Sequence, residues 1–263
     1  MPSMQNFTEH HYGPRVHILN NPFLHTLLAR LCSPETFQPE IDRLVELLYT
    51  HLISIVVNKE FTKENLNTPT RMTAIHPEQK VQGQGISALQ KAVCVNLARA
   101  GTFPSHVCYQ FLHYALLSQN IRQDHIFASR LTGDKDQVTG TELGGTKIGG
   151  DVTDRFVIFP DPMGATGNTL VSAIEFYKQK IKGPARKFLA LHLIVTPEYL
   201  KRVLQAHPEV EIYCIRLDRG LSSEAVLKAA PGKFWDQEKG LNDKDYILPG
   251  GGGFGEIMNN SFV

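Results

Sequence analysis

The stretch 155-RFVIFPDPMGATGNTLVSAIEFY-177 sets one acid and a knot of small residues between an apolar run and an amphipathic pattern. Phe156, Val157, Ile158 and Phe159 do not alternate with polar residues, as expected of a central strand buried on both faces, so Asp161 falls at its carboxyl end. Gly164, Ala165 and Gly167 leave almost no side-chain bulk over the next turn, and successive backbone N–H groups can face one anion closely. Thr166 and Thr169 add hydroxyl donors, and a helix starting near Asn168 adds its free N–H groups and positive end. The chemistry implied is a phosphate held by backbone. The alternative is a tight strand-to-helix turn in which Asp161 is only a cap. The stretch contains neither G-x-x-x-x-G-K-[ST] nor G-x-G-x-x-G, which counts against nucleoside triphosphates and dinucleotides.

A second glycine-rich segment, 249-PGGGGFG-255, follows directly on YIL, and reads either as a flexible linker or as backbone laid bare for a ligand. Arg99 and Arg130 stand at the ends of apolar runs, where a guanidinium is either a surface charge or a fork for an oxyanion.

The elements that position these residues alternate. Apolar runs at 91–98, 125–131, 155–159, 187–195 and 210–217 read as strands, and 106–119, 168–182 and 197–206 as helices. This pattern predicts a doubly wound, mostly parallel α/β sheet covered on both faces, with ligands bound beyond the carboxyl ends of its strands. Upstream, 22–31 and 38–57 carry helical periodicity, parted by Ser33-Pro34, and form a helical arm that packs on the core or on a second subunit. The polar stretch 58–85 reads as a loop or a short edge hairpin, and the glycine-rich stretch 132–154 as a loop. The expected division is thus 1–85, arm and loop, and 86–263, core.

Composition narrows the class further. The chain has 263 residues, 42% of them hydrophobic, a net charge of +1 and scattered basic residues, which gives no reason to propose a nucleic-acid or membrane partner. Its longest apolar runs are strand-sized and its first residues lack an apolar signal core. Cys32, Cys94, Cys108 and Cys214 show no C-x-x-C spacing, and free buried thiols in the cytoplasm are expected. The 11 histidines show no ligand spacing, and no protein metal site is expected.

The segment 161-DPMGATGNT-169 closely resembles the phosphoribosyl-diphosphate loop of the uracil phosphoribosyltransferases, D-P-M-x-A-T-G-G-[ST]. In the same order, 98-ARAG-101 resembles the family's L-R-A-G, 128-ASR-130 its M-Y-R strand end, and 240-GLNDKDYILPGGGGFGE-256 its G-L-N-x-x-G-Y-I-x-P-G-x-G-x-x-G-D. The N-terminal 20-NNPFLHTLLARL-31 is similar to H-P-L-x-x-H-K-L-x-x-x-R. The resemblance spans nearly the whole chain.

It implies transfer of the phosphoribosyl group from 5-phosphoribosyl 1-diphosphate to uracil N1, giving uridine monophosphate and diphosphate in pyrimidine salvage. It further implies a catalytic set of Arg99, Arg130, Asp161 and Glu256, with both arginines on the diphosphate and Asp161 facing the ribose hydroxyls. Pro162, Met163, Gly164, Ala165, Thr166, Gly167, Asn168 and Thr169 would complete the phosphoribosyl-diphosphate site. Tyr246, Ile247, Gly252, Gly253 and Phe254 would read the base in the small C-terminal segment 240–256. Magnesium would arrive on the diphosphate, since one loop carboxylate makes no dedicated cage. A mobile lid after Arg130 and a homodimer or larger homo-oligomer are also implied.

Several positions depart from the family pattern. Gly164 stands where leucine is common, Asn168 replaces the second glycine of T-G-G, Gly253 replaces Asp or Asn, Glu256 replaces Asp, and Ile257 replaces a basic residue. Residues 222–239, with the single tryptophan, Trp235, form an insertion suited to packing on another surface, a neighbouring subunit among them. Gly164 and Gly253 would enlarge the site. These departures keep two further classes open: transfer to another base, and a catalytically weak protein that binds nucleotide or phosphoribosyl diphosphate as a regulator.

Overall fold

The computed structural model describes residues 7–132 and 138–261, with side chains for 7–128 and 143–261. In chain order it comprises β1 (Val16–Ile18), α1 (Pro22–Leu31), α2 (Glu40–Glu60), β2 (Lys63–Pro69), β3 (Lys80–Ile86), β4 (Lys91–Ala98), α3 (Thr102–Leu112), β5 (Ile121–Thr132) and β6 (Val138–Lys147). These are followed by β7 (Arg155–Pro160), β8 (Met163–Gly164), α4 (Asn168–Lys180), β9 (Lys187–Val195), α5 (Pro197–Ala206), β10 (Glu211–Leu217), α6 (Glu224–Lys228) and α7 (Phe254–Ile257). The main sheet runs β1-β10-β9-β7-β4-β5-β6, with the short β8 beside β9. Only the β5–β6 pairing is antiparallel.

Uninterrupted apolar strands divide their residues between two cores. Ala92, Cys94, Phe156 and Ile158 face one cluster with α1, α2 and α3; Val93, Val95, Val157 and Phe159 face the other with α4 and α5. That is the two-faced burial which the lack of alternation predicts. Helix ends follow local chemistry. Asn21 Oδ1 accepts the Leu24 N–H ahead of Pro22, and Thr196 Oγ1 accepts the Tyr199 N–H ahead of Pro197.

The N-terminal helices take the first of their two expected placements and pack on the core: Leu24, Leu28, Leu48, Leu52, Ile53 and Val56 are fully buried in the same cluster as Ala92 and Cys94. Other expectations are corrected or refined. Within the stretch expected to be a loop, Val138–Lys147 is strand β6, held to β5 by backbone pairing. Residues 63–86 form a hairpin that pairs only with itself, not with an edge of the main sheet. The insertion packs on its own chain: the Trp235 indole donates to the Pro197 carbonyl at 3.0 Å and sits edge-on to Tyr12, while Arg219 pairs with the buried Glu238 at 2.7 Å.

Cys94, Cys108 and Cys214 are buried, Cys32 is partly so, and all four are free. Among the described residues no helix is long and apolar enough to cross a membrane.

Candidate active site

The carboxyl ends of β4 and β7 open into a cleft of about 570 Å³. Arg99, directly after β4, and Asp161, directly after β7, both line it. Asp161 Oδ1 accepts the Met163 N–H at 3.4 Å and closes the start of the loop. Met163, Ala165, Thr166, Gly167 and Thr169 continue the wall into α4. Gly167, at φ +82°, turns the chain into that helix in a left-handed conformation that side chains disfavour. The same cleft is lined by Tyr246, Ile247, Gly252, Gly253, Phe254 and Glu256. Thus the two glycine-rich segments, some 80 residues apart in sequence, share one space with Arg99.

Pro162, Gly164 and Asn168 do not line the cleft. Their backbones serve the scaffold: the Pro162 carbonyl accepts from Leu193 and Ile194 at 3.0 and 3.1 Å, and the Gly164 carbonyl accepts from Thr196 at 3.1 Å. Asn168 Oδ1 accepts from Arg202 Nε at 3.1 Å. Arg130 lies on the β5 backbone, but its side chain falls outside the described residues. Gly164 does not enlarge the site. A Cβ there would meet Val195 Cγ1 at 2.9 Å and the Tyr199 ring at 3.1 Å, so the tyrosine already fills the space. At Gly253 a Cβ would fall 2.1 Å from Glu256 Oε2, so that carboxylate would have to swing aside. The two C-terminal departures are therefore coupled in space.

Glu256 also meets Arg99, beside which Gly255 packs. Its Oε1 lies 3.4 Å from Arg99 Nη2, while Arg99 Nη1 donates to Ser261 Oγ at 2.9 Å and to the Ser261 carbonyl at 3.3 Å. The guanidinium is thus held within the site by the chain's last described turn. At 42% side-chain exposure it stays open to displacement by a stronger anion.

Sequence reasoning missed the residues beneath the loop. His192 Nδ1–H donates to the Asp161 carbonyl at 2.6 Å, which leaves Nε2 to accept from the Tyr199 hydroxyl. Complete burial holds this imidazole at about 4, outweighing the raising effect of the Asp161 bond, so it is neutral near pH 7. Thr196 Oγ1 donates to the Ala165 carbonyl at 2.7 Å. The first turn of α5 and one strand histidine therefore fix the loop backbone from below. His192 is the sole polar side chain between Phe188 and Val195, and that interruption of an apolar strand was the available signal.

A glycine-rich loop at the carboxyl edge of this doubly wound sheet accords with an α/β protein of the phosphoribosyltransferase type. The chain belongs to the uracil phosphoribosyltransferase family, whose model matches residues 18–237 and stops short of the 240–256 segment. It is 28% identical over 246 residues to a uracil phosphoribosyltransferase of Staphylococcus aureus, covering 93% of this chain and 97% of that one. The corresponding protein of Campylobacter fetus subsp. fetus is 32% identical over 115 residues, 44% of each chain. A solved structure from Aquifex aeolicus shares the fold, with a TM-score of 0.68 at 21% identity over 92% of this chain and 97% of the other.

Proposed function

We propose that the protein transfers the phosphoribosyl group from 5-phosphoribosyl 1-diphosphate to uracil, releasing diphosphate and forming uridine monophosphate, as a pyrimidine-salvage enzyme of the cytoplasm. The observation that carries this reading is the one cleft lined together by loop 161–169, segment 246–256 and Arg99. The 5-phosphate would rest on the backbone N–H groups and hydroxyls of Ala165, Thr166, Gly167 and Thr169, at the start of α4. Asp161 would accept from the ribose hydroxyls. Arg99, with Arg130, would take the diphosphate by forked hydrogen bonds as negative charge grows on the leaving group. Uracil offers two carbonyls and N–H donors much as a peptide does, which suits the backbone groups around Ile247, Gly252 and Phe254.

Magnesium would travel with the diphosphate. Asp161, Asp245 and Glu256 line the cleft with the hard carboxylate oxygens that this ion prefers, and it would neutralise diphosphate charge there. Elsewhere His17, Glu60 and Glu211 lie close enough to share an ion, but the Lys187 ammonium already bonds both carboxylates, at 2.7 and 3.4 Å.

The proposed assembly is a homo-oligomer joined through the β2–β3 hairpin. Its strands are exposed or nearly so throughout, and Met72, Ile75 and Val81 are 54%, 67% and 48% exposed. An isolated two-stranded hairpin is marginal in water and gains stability from a partner.

The Arg99 contacts favour one alternative, a weak catalyst that binds phosphoribosyl diphosphate or nucleotide as a regulator, because the leaving-group cation is engaged by the chain itself. One assay separates the two. Purified protein with magnesium and phosphoribosyl diphosphate is offered uracil, cytosine, orotate, guanine or hypoxanthine in parallel. Turnover with uracil alone is expected. Silence in every tube, with calorimetric binding of phosphoribosyl diphosphate, would instead make the protein a sensor, and turnover with another base would overturn the uracil assignment.

A further inference from the structure

We propose that Arg216 and Asp218, at and just past the carboxyl end of β10, are positioning residues that set the base-reading turn through Gly250. The inference rests on reading 246–254 as the base segment. Neither side chain lines the cleft; both lie behind its wall. Asp218 is 2% exposed, and its carboxylate is forked by Arg216 Nε and Nη2 at 2.6 and 2.8 Å. The same carboxylate accepts the Gly250 N–H at 2.7 Å, and Arg216 Nη2 donates to the Gly250 carbonyl at 2.7 Å. One ion pair therefore grips both backbone polar groups of a single turn residue.

The grip is tight on the remaining sides. Gly250 sits at φ +63°, and a Cβ there would fall 2.2 Å from the Ile247 carbonyl, so the turn closes back on the residue that lines the cleft. Beneath it, a Cβ at Gly251 would lie 2.8 Å from Cys32 Sγ and 2.7 Å from the Phe254 ring. Gly250 thus ties the placement of Ile247, and Gly251 that of Phe254, to the clamped turn. Moving Gly250 would leave a buried carboxylate and a half-buried guanidinium short of partners, a costly state.

Base recognition by backbone groups depends on their placement, and a displacement near 1 Å is enough to cost on the order of 100-fold in rate. A purely structural ion pair would act on both substrates alike through folding. A positioning pair acts at the base end and spares the phosphate end, whose loop is held by α5 and His192.

The test uses the full chain carrying Arg216→Lys, which keeps charge and loses the fork, or Asp218→Asn, which keeps shape and loses charge. Expected in each is a rise of about tenfold or more in KM for uracil, with KM for phosphoribosyl diphosphate within about twofold of the parent. Amide hydrogen exchange across 247–254 should quicken while that of 161–169 stays as it was. Equal rises in both KM values, or unchanged exchange at 247–254, would overturn the proposal. Should Asp218→Asn fail to fold, Arg216→Lys decides. Exchange needs no substrate: quickened exchange in a protein that turns over no base upholds the clamp and overturns the base assignment instead.

Discussion

Asn168 and Gly164 show how a departure from a family pattern acquires a physical meaning once its neighbours are known. Asn168 holds Arg202 by its side-chain oxygen, an interaction that a glycine in this position could not make. Gly164 gives up its side chain to Tyr199, whose ring and hydroxyl serve the His192 and Asp161 network. Gly164→Ala is therefore expected to destabilise the protein by about 1–3 kcal/mol, as overpacking of a filled core does. A urea midpoint unchanged from the parent would show that Tyr199 does not press on this position. None of this was legible in the sequence. The local bond from the Met163 N–H to Asp161 Oδ1 lies within one apolar-run-to-glycine junction of the sequence, whereas His192, Arg216 and Asp218 reach their partners only through topology, across about 30 residues.

Elements were legible where burial is continuous. The strands at 91–98 and 187–195 and the helices at 22–31 and 197–206 match the structure in their bounds, because unbroken apolar runs and capped prolines leave one choice of period. Helix α3 begins at Thr102, four residues before its apolar pattern suggested, since Gly101 at the end of the strand-end turn is its cap. The sequence reads strand β6 as loop and leaves 58–85 open between loop and hairpin for the opposite reason: both elements are held by backbone pairing, and 63–69, 80–86 and 143–147 include no buried side chain. The hairpin's exposure makes the element-scale prediction. Replacing 63–86 by a short turn should leave the main sheet folded by circular dichroism and convert an oligomer into monomer in sedimentation. An unchanged sedimentation coefficient per chain would remove the hairpin from the interface.

At the scale of the whole molecule, two buried groups tie stability to acid. His192 is held at about 4 from an ordinary 6.5 by burial, so the unfolded chain takes up its proton first as pH falls. Stability is then lost between pH 6.5 and 4, by roughly 3 kcal/mol at one pKa unit per 1.36 kcal/mol. Glu211 extends the trend. Burial opposes its ionisation, but hydrogen bonds from His17 and Arg15 and the Lys187 charge outweigh that and hold it at about 2, below its ordinary 4.5. Its contribution is present above pH 4.5 and lost from there toward pH 2. Urea midpoints should fall from pH 7 to pH 5, and His192→Gln should flatten that portion of the curve. An equal slope in parent and variant would assign it elsewhere.

The single tryptophan gives this architecture an optical handle. Trp235 meets Tyr12 with its ring edge and bonds to Pro197, the first residue of the helix that carries Tyr199 under the phosphate loop. Its emission thus originates at one junction, where the N-terminal segment, the insertion and α5 converge. Fluorescence of the unmodified protein is a local reading of that joint, one helix away from the cleft.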